Sequence, residues 1–147
     1  MKDPRMLSCW QTVASLGLAV QMHFIPGQAP NIRALAAKFP ETTVILDHMG
    51  RPGQGTKEEY EEVLKLAELP HVVLKFSNWR EYKGDLGRLT RRLYDTFGPG
   101  RMIWGTLGNT PAEYRKRAAR FAELLAFASP AGRASIRGGN AQRLFFN

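Results

Sequence analysis

Two histidines and one arginine are the residues whose types and placement could do chemistry. His23 closes the run LAVQMH, and His48 closes the run TTVILDH. Each follows a strand-like apolar stretch and precedes a segment rich in Gly and Pro, which is where α/β proteins carry their working side chains. A neutral imidazole in such a place serves as a metal ligand or as a general acid or base. Arg51, in the GRPG turn just beyond His48, offers a guanidinium fork that matches a substrate carboxylate. The plainer alternatives are a hydrogen-bonded histidine at a strand end and a surface arginine. Two histidines also fall short of the three protein ligands usual in a catalytic zinc centre. His71 opens the run HVVLKFS and is expected at the opposite end of the sheet.

The elements that must position these residues are readable from apolar pattern and caps. Asp3 and Pro4 suit an N-cap and first helical position, with Gly17 as the stop. LAVQMHF (18–24) reads as a first strand, and NIRALAAKF (31–39) as a helix with Ile32, Leu35, Ala36 and Phe39 on one face. TTVILDH (42–48) is a second strand. Thr56 and Glu59 form a capping-box pattern that opens a helix to about Leu69. HVVLKFS (71–77) is a third strand. Leu86, Leu89, Leu93 and Phe97 mark a further helix, stopped by GPG. RMIWGT (101–106) is a fourth strand, and TPAE (110–113) caps a helix running to about Phe127. Ser129-Pro130 and Asn140 begin two short helical pieces.

The result is four βα units. Their strands are near-continuous apolar runs without polar alternation, as in parallel sheets covered on both faces. Period-two alternation sets His23 with Gln21, and His48 with Leu46 and Val44. Both imidazoles are expected in a common space if the strands are neighbours. Asp47 alternates to the face opposite His48, so it is not expected to join them.

The chain has 147 residues, of which 44% are hydrophobic, enough for one domain with a real core. Cys9 is the single cysteine, so no internal disulfide forms, and a reducing cytoplasm is the natural location. No apolar run approaches the roughly 20 residues of a membrane span. The net charge of +8 raises nucleic acid as a partner. The basic residues are dispersed, however, and the densest group, EYRKRAAR (113–120), has the spacing of a solvated helix face. Trp79, Trp104 and Phe76 are expected to pack rather than to stack on bases. An acidic small molecule is the better partner for this charge, with neither nucleic acid nor membrane expected. The chain contains no G-x-S-x-G elbow, P-loop, H-E-x-x-H or paired-cysteine motif.

Taken together, LAVQMH, VILDHMGRP, VVLKFSNW, FGPGRMIWG and IRGGNAQRLF resemble, in order, the strands and closing segment of the C-terminal half of the amidohydrolase-related family. These are metal-dependent hydrolases that include the pyrone-dicarboxylate lactonases. The resemblance implies an α/β fold: strands five to eight of a TIM-type (β/α)₈ barrel, with residues 1–147 forming a partial amidohydrolase-related domain. It implies a hydrolase acting on a lactone, ester or related carboxylic acid, with His23 and His48 as catalytic or metal-binding residues, a divalent metal such as zinc as cofactor, and Arg51 as a substrate contact. The family's first-strand H-x-H pair has no counterpart in this chain. Its eighth-strand W-G-S-D is replaced by Trp104-Gly105-Thr106-Leu107. A non-catalytic half-barrel that binds a small acid or serves as a partner subunit is therefore the alternative. Four strands leave two open edges, to be covered by a missing N-terminal half or by a second copy in a homodimer.

Overall fold

The computed structural model describes residues 4–146. Asp3, the expected first cap, lies outside them. The order is α1 (Pro4–Ser15), β1 (Val20–Met22), α2 (Ala29–Ala36), β2 (Val44–Leu46), α3 (Lys57–Lys65), β3 (Val72–Phe76), α4 (Leu86–Phe97), β4 (Met102–Trp104), α5 (Pro111–Leu124), α6 (Pro130–Ala134) and α7 (Asn140–Phe145). All four strands are parallel and sit in sequence order, β1-β2-β3-β4.

Local chemistry places the helix starts. Thr56 accepts from the Glu59 amide while Glu59 reaches back to the Thr56 amide, a complete capping box on α3. Asp85 caps α4 and Ser129 caps α6. At α5 only half the expected box forms: Thr110 accepts from the Glu113 amide, but the Glu113 carboxylate turns to the Asn109 amide and the Thr110 hydroxyl.

The strands divide their side chains by alternation. Val44, Leu46, Val72, Leu74, Phe76 and Met102 are fully buried on the face that packs against the helices. Ile45, Val73 and Ile103 form a smaller cluster on the other face, closed by Ala141 and Leu144 of α7. Phe76 packs on Trp79, and Trp104 lies between Tyr114 and Phe121, so these aromatics serve the core as expected. Cys9 is a free, exposed thiol. Among the described residues no helix is long and apolar enough to cross a membrane.

Asn140 ties the closing segment to the sheet. Its fully buried amide donates to the carbonyls of Pro99 (2.6 Å) and Met102 (2.7 Å), and Arg143 donates to its Oδ1. This bracket fixes the start of β4, whose far end carries Gly105 into the site. Asn140→Ala leaves both carbonyls without their donor and is expected to cost about 2–3 kcal/mol. Urea denaturation reads this directly, and an unchanged midpoint would show that the bracket contributes nothing.

Candidate functional site

Strand register builds the site's floor. β1 and β2 pair Val20 with Val44, Gln21 with Ile45 and Met22 with Leu46. One step further along, His23 comes beside Asp47. β2 and β3 pair Leu46 with Leu74, which brings Asp47 beside Lys75. His23, Asp47 and Lys75 thus lie in one row, at the C-terminal ends of the first three strands and on the face of Ile45 and Val73. The Asp47 carboxylate is the centre of the row. His23 Nδ1 lies 3.2 Å from its Oδ2, and Lys75 Nζ lies 3.1 Å from its Oδ1.

His48 reaches the same carboxylate by a different route. Continued alternation would send it to the core face with Val44 and Leu46. Instead the strand ends at Leu46, and His48, Met49, Gly50 and Arg51 all take positive φ, between 52° and 69°. This left-handed turn swings the imidazole back over the row. His48 Nε2 comes to 3.3 Å from Asp47 Oδ2, and its ring meets that of His23 edge-on at 5.3 Å. The expected common space for the two histidines is therefore real, but alternation is not its cause. The expectation that Asp47 faces away from His48 is overturned for the same reason.

Left-handed conformation costs a non-glycine residue about 1–2 kcal/mol, and three such residues occur here. Packing overdetermines the turn. Met49 is buried, and its carbonyl accepts from the buried Tyr60 hydroxyl at 2.7 Å. Burial pushes the Tyr60 pKa up, which keeps the phenol protonated and donating. Gly50 lies so close to α3 that a Cβ there would stand 2.3 Å from Val63 Cγ1. Ser77 Oγ, fully buried, is 2.9 Å from His48 Nδ1. A serine with no exposed surface cannot meet a substrate, so Ser77 orients the ring rather than attacking.

A partner fixes the His23 tautomer. A guanidinium only donates, so Arg51, 3.0 Å from His23 Nε2, leaves His23 to donate from Nδ1 to Asp47. His48 hydrogen-bonds with the Ser77 hydroxyl through Nδ1, and its Nε2 faces Asp47 as a charge contact at 3.3 Å. Burial, and secondarily the Lys75 charge, lowers the His48 pKa against the raising effect of Asp47. Burial alone would raise the Asp47 pKa. The His23 hydrogen bond and the adjacent Lys75 ammonium, with the His48 charge, more than offset it and hold the pKa below the usual value.

His23, Asp47 and His48 each offer a ligand atom, all within 4.8 Å of one another. One carboxylate with two imidazoles is a donor set suited to zinc. Asp47 is 6% exposed and its Oδ1 accepts no hydrogen bond of good geometry, only the Lys75 charge. A cleft of about 750 Å³ opens beside the cluster, and Arg51, Arg80, Lys83 and Arg117 line it against a single acid, Glu81. Leu107 stands half-exposed on the cleft wall. His71 lies at the far end of the sheet, as expected, and donates to the Ala36 carbonyl.

The Amidohydrolase family model matches residues 2–146. The chain belongs to the amidohydrolase family. It is 29% identical over 143 residues to an L-fucono-1,5-lactonase of Burkholderia multivorans, covering 80% of this chain and 48% of that protein. An L-fucono-1,5-lactonase of Burkholderia ambifaria is 29% identical over 113 residues, 71% of this chain and 39% of the relative. The chain thus spans about half or less of the length of the curated relatives it matches. Among solved structures, a zinc-bound amidohydrolase from B. multivorans aligns with TM-score 0.78 and 23% identity, over 97% of this chain and 57% of that one. A probable 2-pyrone-4,6-dicarboxylic acid hydrolase from Acinetobacter baumannii, with citric acid bound, aligns with TM-score 0.78 and 20% identity, over 97% and 58%.

The structure brings His23, His48 and Arg51, the residues singled out from the sequence, together with Asp47, Lys75 and Ser77, which were not. The available signal was Lys75 itself, the one charge inside the apolar run VVLKF. Tyr60→Phe removes the donor that holds the turn and is expected to cost about 1–3 kcal/mol. In NMR it should also move the His48 ring resonances while leaving those of His71 in place. Unmoved His48 resonances would mean that the turn stands without Tyr60.

Proposed function

We propose that this chain forms the C-terminal half of an amidohydrolase barrel that hydrolyses a lactone, ester or related carboxylic acid. The observation that carries this reading is the convergence of His23, Asp47 and His48 at the C-terminal ends of parallel strands, beside a cationic cleft. His23, Asp47 and His48 would hold a divalent ion such as zinc. When bound, that ion would polarise the substrate carbonyl and lower the pKa of a water. The chain's own residues do the rest. Before an ion enters, Asp47 holds the His23 imidazole by accepting from Nδ1, and Ser77 orients the His48 ring. Arg51 pairs with a substrate carboxylate, and Arg80, Lys83 and Arg117 make the cleft favourable for an acid. The lactonase relatives favour a cyclic ester as the substrate class.

Four further βα units would complete the barrel. The edges of β1 and β4 are unpaired among the described residues, and Leu16 and Leu18, just before β1, are exposed. Either a segment of a longer protein or a second copy of this chain would supply the missing strands. Leu107 on the cleft wall favours one second reading, a relative that binds a small acid without hydrolysing it.

Zinc titration of the purified chain tests the ligand role. His23→Ala and His48→Ala should each weaken binding at least tenfold, and binding equal to the unsubstituted chain would remove the metal reading. Hydrolysis of sugar lactones and carboxylated lactones, followed by acid release, separates enzyme from binder. In the completed barrel His48→Ala should lower the rate about 10²-fold or more. If Leu107→Asp alone brings hydrolysis into being, the binding-only reading is correct for the natural chain.

A further inference from the structure

Lys75 is built into the cluster by two separate features. Register sets its backbone beside Asp47, and its ammonium stands 3.1 Å from Asp47 Oδ1 with the side chain 21% exposed. Its stem lies in a trough left by Gly105. A Cβ at Gly105 would stand 2.8 Å from Lys75 Cε and 3.1 Å from Ser77 Cβ. The glycine thus keeps open the path along which the ammonium reaches the carboxylate. Asp47 is the only carboxylate of the cluster. With uncharged imidazoles, the Lys75 charge cancels that of Asp47, and Arg51 beside His23 adds a further positive charge. A divalent ion entering here meets no net negative charge.

We propose that Lys75 is a resident cation that holds Asp47 against metal ions, so that it sets the cluster's affinity for a divalent ion. This rests on the metal reading of His23, Asp47 and His48 and adds a residue that works against it. The ammonium engages one carboxylate oxygen, lowers the donor strength of the other and repels any ion near it. The site then takes zinc weakly while Lys75 is in place and tightly when the charge is removed.

Calorimetric titration of the 147-residue chain with zinc alone, at fixed pH, tests this. Lys75→Gln should bind zinc at least tenfold more tightly than the unsubstituted chain. Lys75→Arg keeps the charge and should stay within about threefold, a distinction that a merely structural role would not make. Gly105→Ala displaces the stem without deleting the charge and should also tighten binding, which covers the case in which Lys75→Gln does not fold. Adding His23→Ala to Lys75→Gln should abolish the gain. Equal or weaker binding by both Lys75→Gln and Gly105→Ala overturns the proposal. If His23→Ala still abolishes binding in the unsubstituted chain, the metal reading survives that failure. If no variant binds zinc, both fall. A gain that persists in the double variant means that zinc sits elsewhere, and the proposal fails.

Discussion

Asp47 is almost closed off from solvent, and an ionised carboxylate in that position must be met by donors or opposite charge or it will not stay ionised. The arrangement around it meets that demand. His23 arrives from β1, Lys75 from β3, and His48 from the turn that follows Asp47 itself. His23 brings a proton and Lys75 a positive charge to its two oxygens, and the His48 ring stands 3.3 Å from Oδ2. Because these partners come from three consecutive strands, the carboxylate also reports on the register: a slip of one residue would turn the row away from it.

The left-handed turn is the second constraint. Strained backbone persists where the surroundings overdetermine it. Here Tyr60 holds the Met49 carbonyl, Val63 leaves room at Gly50 for hydrogen alone, and Ser77 holds the His48 ring. α3 is therefore more than a cover for the sheet, because two of its buried residues shape the segment that aims a site imidazole. The capping box that starts α3 lies only a few residues beyond that turn, so local helix chemistry and site geometry share one stretch of chain.

Charge unites the cluster with its surroundings. The cleft next to it is lined by four cations and one acid. The basic helix α5 contributes Arg117 to this wall, so a stripe with the spacing of a solvated face also borders the site. Against this field Asp47 is a local negative point, already matched by Lys75. An acidic small molecule would find the cleft favourable, while a divalent cation would find the cluster contested.

The sequence by itself determined the four βα units, the parallel sheet, the helix caps and the ends of the strands that carry His23, His48 and Arg51. These follow from short-range rules: apolar runs of strand length, capping residues, and glycine and proline stops. The strands proved shorter than the apolar runs, and β2 shows why. Residues 42–48 have strand composition throughout, yet pairing ends at Leu46 because the turn begins there. Only the tertiary structure decided which side chains meet. Alternation gives the face of each residue within one strand, but the offset between strands is a property of their pairing. That offset placed Asp47, not His48, beside His23, and it brought in Lys75 from a run that reads as core. Nor could alternation foresee His48 crossing to the other face, because the contacts that impose its backbone conformation come from Tyr60 and Val63 on α3 and from Ser77 just beyond β3.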